Sequence, residues 1–215
     1  LWWIKEDYIY ISALYSPDDY SIANGGISDF MIPNKKGNLT GLVNYDDKLI
    51  VFAEKSMHII SNTDGAIENF YVQNLETEVG CTFFKSIVVC DSVLYWAWNN
   101  EFYRYVGVKP EKISNPLNAF IGHSGFTYSE VATTDGRNIY FNYYPVNTGY
   151  MFVYDTLLGK WYIRDYIDGF FAEYNNSFGG NSVNGILHGS MWGTTLSVFA
   201  DNADIQPFAS NGTWN

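Results

Sequence analysis

Residues 80–114, GCTFFKSIVVCDSVLYWAWNNEFYRYVGVKPEKIS, constrain the fold more than any other stretch of this chain. FFKSIVVC reads as a strand, Cys90-Asp91-Ser92 as a turn and VLYWAW as a second strand. Asn99-Asn100 reads as a two-residue hairpin loop and EFYRYVG as a third strand. Asn tolerates positive φ better than other non-glycine residues, so Asn-Asn can close a tight hairpin, although Asn-Gly is the stronger signal. In VLYWAW, Leu94, Trp96 and Trp98 fall on one face and Val93, Tyr95 and Ala97 on the other. Both faces are apolar, so this strand is expected to be covered on both sides, inside a stack of sheets.

The module recurs. Upstream, GLVNYDDKLIVFAEKSMHIIS has the same order of strand, Asp-containing turn, apolar strand, tight turn and strand. Asp46-Asp47 corresponds to Cys90-Asp91, and Leu49 to Phe52 correspond to Val93 to Trp96. Downstream, SEVATTDGRNIYFNYYPVNTGYMFVYD repeats it, with Asp135-Gly136 as the turn and Ile139 to Phe141 opening the apolar strand. A looser copy lies in SMWGTTLSVFADN. The offsets are roughly 44 and 46 residues, within the roughly 40–50 residues of a propeller blade. Any all-β chain shows strands and turns at intervals; three copies with the turn Asp in register favour a propeller. The fold class expected is therefore all-β, a β-propeller or propeller-like array of antiparallel sheets. About four to six blades are expected, possibly as a fragment of a longer chain. The repeats fall at approximately 1–38, 39–80, 81–125, 126–170 and 171–215 within one propeller-like domain.

The length of 215 residues suffices for one large domain with a substantial core. LWWIKED looks like the inside of a strand, so the chain is expected to begin within a longer polypeptide. The 18 Tyr, 15 Phe and 7 Trp suit β-structure. No apolar run is long enough to predict a membrane span. With 23 acidic and 12 basic residues, a net charge of −11 argues against a nucleic-acid-binding surface, which needs clustered Lys and Arg. Lys35-Lys36, the adjacent basic pair, reads as part of a solvated loop. If residues 82–90 form one strand, Cys81 and Cys90 lie roughly 30 Å apart and cannot bond. Two free thiols fit a reducing compartment.

In order along the chain, DYIYISA is a strand and Ser16-Pro17-Asp18-Asp19 a turn, with Asp18-Asp19 read as turn caps and not as an acid–base pair. Residues 33–41 form a loop, FYVQNLETEVG an outer strand ending at Gly80, and Ile113-Ser114-Asn115-Pro116 a turn or short helix start. PVNTG is a longer hairpin loop, and VYDTLLGKW a strand, turn and aromatic-led strand. The Gly/Asn/Ser-rich tail reads as long loops and strand pieces.

No chemistry stands out. His58 alternates into a strand, and His123 and His188 sit in Gly-flanked loops, none with a metal-ligand spacing. The serine-hydrolase elbow, zinc-protease helix, phosphate loop and Cys-x-x-Cys patterns are absent. Ser61 to Gly65 and Thr133 to Gly136 approach the glycosidase Asp-box turn, with the wrong Gly spacing and no Trp. Arg104, Arg137 and Arg164 form no evident cluster to clamp an acidic sugar. Sequons at Asn38, Asn175 and Asn211 are of the kind that Asn-rich loops produce by chance. No catalytic, cofactor-binding or metal-ligating residue is assigned, no cofactor is expected, and the chain is read as a non-enzyme.

Four phrases carry a family resemblance. ISALYSPDDYSIANG, then LIVFAEKSMHII, then residues 80–114 and finally VYDTLLGKW resemble, in order, motifs of the tail nozzle and tail hub proteins of short-tailed phages. That group is also called tail tubular protein B or packaged-DNA stabilisation protein. The resemblance spans roughly residues 9–165, and Asn99-Asn100 stands where the family tends to have Asp-Gly. It implies a structural virion component: copies in a ring that continues the DNA channel, beside adjacent tail, adaptor and portal proteins, assembled in the host cytoplasm. DNA would pass through the lumen without specific binding, and an acidic wall would let it slide. The alternative is a glycan- or receptor-binding, lectin-like propeller, which would need exposed aromatics at equivalent blade tips.

Overall fold

Short alternating strands separated by Asp, Asn and Ser pairs build five antiparallel sheets, each from one continuous stretch of chain with its strands paired in sequence order. The computed structural model describes residues 1–200 except 64–65, 77, 122–125, 146–149, 166–169, 179–180 and 191–196, with backbone alone in the fifth sheet. The first sheet comprises β1 (Trp2–Lys5), β2 (Tyr8–Ile11) and β3 (Ile27–Phe30). The second holds β4 (Leu39–Tyr45), β5 (Lys48–Ala53), β6 (Met57–Ser61) and β7 (Tyr71–Glu76). The third holds β8 (Val88–Cys90), β9 (Val93–Trp98), β10 (Glu101–Tyr105) and β11 (Pro110–Lys112). In the fourth are β12 (Phe126–Thr134), β13 (Asn138–Pro145), β14 (Tyr150–Asp155) and β15 (Lys160–Asp165), and in the fifth β16 (Phe170–Phe178), β17 (Asn181–Ser190) and β18 (Ser197–Ala200).

The tight turns explain the strand lengths. Asp46 and Asp47 sit at φ 49° and 56°, Asp91 and Ser92 at 48° and 60°, and Asn99 and Asn100 at 50° and 62°. Two consecutive left-handed residues make a turn whose twist matches that of the flanking strands, and Asp and Asn reach this region at low cost. The third-sheet turn is thus Asp91-Ser92, and Cys90 belongs to β8. This shifts the repeat register: Lys48, Val93 and Asn138 open equivalent strands 45 residues apart in both steps, 48 to 93 and 93 to 138, instead of 44 and 46.

Several expected elements differ. FFKSIVVC is not one strand: Phe84–Ser86 is a 3-10 turn, followed by the three-residue β8. The buried Ser86 hydroxyl accepts from the Ala97 N–H at 3.3 Å, which holds the chain off the sheet there. The separation deduced for Cys81 and Cys90 therefore loses its basis, though both are buried thiols outside any disulfide. Residues 1–32 contain a third strand beyond those of LWWIKED and DYIYISA; β3 (ISDF) was hidden by its shortness and its exposed Asp29. The outer strand β7 stops at Glu76, short of Gly80. His188 lies in β17 and Asn175 in β16, both paired to neighbouring strands, not in loops. His123, Asn211 and the PVNTG loop tip fall outside the described residues. Lys35 is no solvated loop residue: its ammonium lies 2.8 Å from Asp7 and its side chain is only 16% exposed.

The chain divides into two compact units, one of Leu1–Phe84 with Tyr105–Glu111, the other of Lys85–Arg104 with the chain from Lys112 on. In the first, β2 packs on the second sheet, burying Ile9 and Ile11 with Val51, Ala53 and Ile60. Ile50, Phe52 and Met57 are also fully buried, so β5 is covered on both faces. In the second unit Tyr95, Ala97 and Phe102 of the third sheet pack with Ile139, Phe141, Phe152 and Tyr154 of the fourth. Leu117 and Ile121, from the short helical stretch Asn115–Leu117 and α1 (Asn118–Ile121), complete that core. Leu94, Tyr95, Trp96 and Ala97 are all buried, as the two apolar faces of VLYWAW required.

Candidate functional site

The polar residues that the sequence singles out are mostly turn locks. Asp19 accepts the Ser21 N–H at 2.9 Å and the Asn24 amide at 2.6 Å. Hydrogen bonds from Ser21 and then Asn24 hold its carboxyl below the usual carboxylate range. Asp135 takes the Arg137 and Asn138 N–H groups on one oxygen and the Asn138 amide and Tyr140 hydroxyl on the other. Burial pulls its carboxyl upward, but the bonds from Asn138, Tyr140 and Arg137 outweigh that and leave it below the ordinary value. Asp155 bonds Arg137 at 2.8 Å and the Leu157 and Leu158 N–H groups at 3.0 Å each. Asp19 and Asp135 are satisfied within their own turns, and Asp155 by its own turn and by Arg137 of the β12–β13 turn, so each has a structural role as a turn lock.

His58 is fully buried in β6. Its Nε2 lies 2.9 Å from the Ser56 hydroxyl, which also accepts the Lys36 N–H, while Nδ1 has no hydrogen-bond partner. Burial disfavours the imidazolium and holds its pKa below 6.5. The unfolded chain therefore binds this proton at a pH where the native state does not, so stability falls as pH drops through 6.5 toward the native value. The carboxylates with lowered pKa lose their contribution as pH falls from about 5, where protonation of the unfolded chain begins, and chiefly below 3.8. Urea unfolding at pH 7.5 and pH 5 is expected to show a stability loss in the parent chain that His58→Leu abolishes. Equal pH dependence in both would assign it elsewhere. The Cys90 thiol is pushed up by burial and is a core group, not a nucleophile.

One concave feature of the first unit was not legible in the sequence. A cleft of about 750 Å³ opens between the end of the first sheet and the 66–70 segment. Trp2, Ile11, Ile27 and Phe70, members or neighbours of the core cluster, line its depth, with Trp2 and Phe70 stacked at 5.6 Å. Leu14, Tyr15 and Ile22 stand at its mouth, 81%, 94% and 78% exposed. Among the described residues Asp29 and Glu68 supply the side-chain charges. Among the described residues no three His, Cys, Asp or Glu side chains gather as a metal site, and no helix is long and apolar enough to cross a membrane.

Comparison with solved structures bears on the fold. The chain is similar to the crystal structure of the N-terminal domain of Nup159, a β-propeller, with a TM-score of 0.50 and 13% identity over 94% of this chain. The fold is β-propeller-like. The chain spans 60% of that domain's length. An exported protein of Bacteroides fragilis is similar at a TM-score of 0.38 and 11% identity, over 77% of this chain and 57% of that one. No protein-family model and no curated protein sequence matches the chain. The 45-residue spacing of Lys48, Val93 and Asn138 falls within the roughly 40–50 residues of a propeller blade, and the tight turns join successive strands of one sheet. The described two-residue turns carry Glu6-Asp7, Asp46-Asp47, Asp91-Ser92 and Asn99-Asn100, with no aromatic among them.

Proposed function

We propose that this chain is the propeller part of a tail nozzle or tail hub protein of a short-tailed phage. It would be a structural virion component that continues the DNA channel and retains packaged DNA. The observation that carries this reading is the ordered string of four phrases from ISALYSPDDYSIANG to VYDTLLGKW. Each phrase supplies residues that a repeated-sheet scaffold needs. Asp19 locks the first loop, LIVFA and MHIIS are the buried strands β5 and β6, the Ser114 hydroxyl accepts the Phe102 N–H at 3.1 Å, and Asp155 locks the β14–β15 turn.

The finer architecture proposed is a closed propeller. The first sheet carries Trp3 and Tyr10 at 4.6 Å, with Tyr20 in ring contact with both. These rings are only partly buried, and a further sheet covering them would complete a ring of blades. Copies of the whole protein would assemble around the channel, against adjacent tail, adaptor and portal proteins. The excess of 23 acidic over 12 basic residues favours a lumen that repels phosphate.

Light scattering and negative-stain imaging of the complete source protein test the proposal. Closed rings with a central hole of DNA width are expected. A monomer that also binds immobilised glycans in a screen would replace this reading with the lectin-like one.

A further inference from the structure

We infer that the cleft of the first unit is a docking site for a peptide segment carrying a bulky aromatic or aliphatic side chain flanked by lysine or arginine. Its volume of about 750 Å³ lies in the roughly 300–1,000 Å³ range of built ligand sites. Depth and mouth are both apolar, and Leu14, Tyr15 and Ile22 stand exposed together, a grouping that marks contact surfaces more than ordinary solvent-facing ones. The stacked Trp2 and Phe70 rings give the depth a rigid wall against which one large side chain can pack as an anchor.

Charge selects the occupant. Among the described residues, the charged side chains lining the cleft are Asp29 of β3 and Glu68 of the 66–70 segment, one on each side. The Leu1 amino group beside them donates to the Ser12 hydroxyl at 2.7 Å. A ligand with cations either side of its anchor meets both carboxylates, while nucleic acid and acidic peptides are repelled. A second copy of this chain, with net charge −11, would bring acid to acid. A small apolar ligand would leave both carboxylates unused. A short extended segment uses the depth and both sides.

The probe is a fluorescein-labelled peptide, Gly-Lys-Trp-Lys-Gly, titrated with the full chain and read by fluorescence anisotropy. Saturable binding is expected, weakened about tenfold or more by Ala66→Trp, which fills the cleft from an exposed position, and about threefold by either Asp29→Lys or Glu68→Lys. All three positions are exposed, so the variants should melt with the parent. No binding up to about 1 mM, a correspondence to less than about 4 kcal/mol, overturns the inference. So does equal binding of Gly-Lys-Ala-Lys-Gly, which leaves charge alone, or an unchanged affinity in Ala66→Trp, which places the peptide elsewhere. N-acetyl-tryptophanamide binding as tightly as the peptide would make this a small-molecule site instead.

Discussion

Replacing Phe102 by alanine is expected to destabilise the second unit by about 3–5 kcal/mol, the cost of emptying a large aromatic from a packed core. Phe102 is 1% exposed and lies between two sheets, with ring centroids 4.4 Å from Phe141, 5.1 Å from Trp161 and 5.7 Å from Phe152. Those neighbours are themselves fixed: Trp161 donates its indole N–H to the Ile113 carbonyl at 2.9 Å, and Phe141 and Phe152 sit on paired strands. They cannot collapse into the vacancy, so the cavity persists and adds to the lost transfer energy. Phe102→Leu retains most of the volume and should cost about 1–2 kcal/mol. Urea unfolding followed by far-ultraviolet circular dichroism measures both. A cost below about 1 kcal/mol for Phe102→Ala would show that the site relaxes and that the aromatic cluster does not organise this core.

Gly80→Ala is expected to destabilise the first unit by about 3 kcal/mol or more, at the upper end of overpacking costs. Gly80 is buried where two backbones meet, and the Cys81 N–H donates to the Ala53 carbonyl at 3.0 Å. A Cβ on Gly80 would stand 2.3 Å from that carbonyl oxygen and 2.5 Å from the carbonyl carbon of Glu54. These are backbone atoms anchored in the second sheet, and no rotamer change can move them. Gly107 supplies the comparison: at φ 93° and with open space around it, Gly107→Ala meets only backbone strain, about 1–2 kcal/mol. If Gly80→Ala proves the milder of the two, close backbone approach is not why residue 80 is glycine.

Much of this architecture was written locally. VLYWAW announced a strand buried on both faces because a period of two places Leu94, Trp96 and Trp98 opposite Val93, Tyr95 and Ala97. Asp46-Asp47 and Asn99-Asn100 announced tight turns because few other residues accept two consecutive positive φ values. Ser16 to Asp19 announced a turn, and the Asp19 N–H does donate to the Ser16 carbonyl at 3.1 Å. What failed depended on partners far along the chain. The 3-10 turn at Phe84–Ser86 exists because Ser86 finds the Ala97 backbone, and Lys35 is nearly covered because Asp7 of the β1–β2 turn meets it. β3 escaped notice because ISDF has neither the length nor the alternation of a strand. The one-residue error at Cys90 moved two repeat offsets, since a turn's register is set by which pair takes the left-handed conformation.

By itself the sequence determined the all-β class, the recurring strand-and-turn module and the turn carboxylates that lock it, because periodicity and turn chemistry are properties of neighbouring residues. Tertiary structure alone decided where Gly80 must stay small, that His58 is buried with an unpartnered nitrogen, and that Trp2, Ile27, Glu68 and Phe70 line one cleft. Those depend on which segments pack together, and close approach, desolvation and concavity have no signature in local spacing.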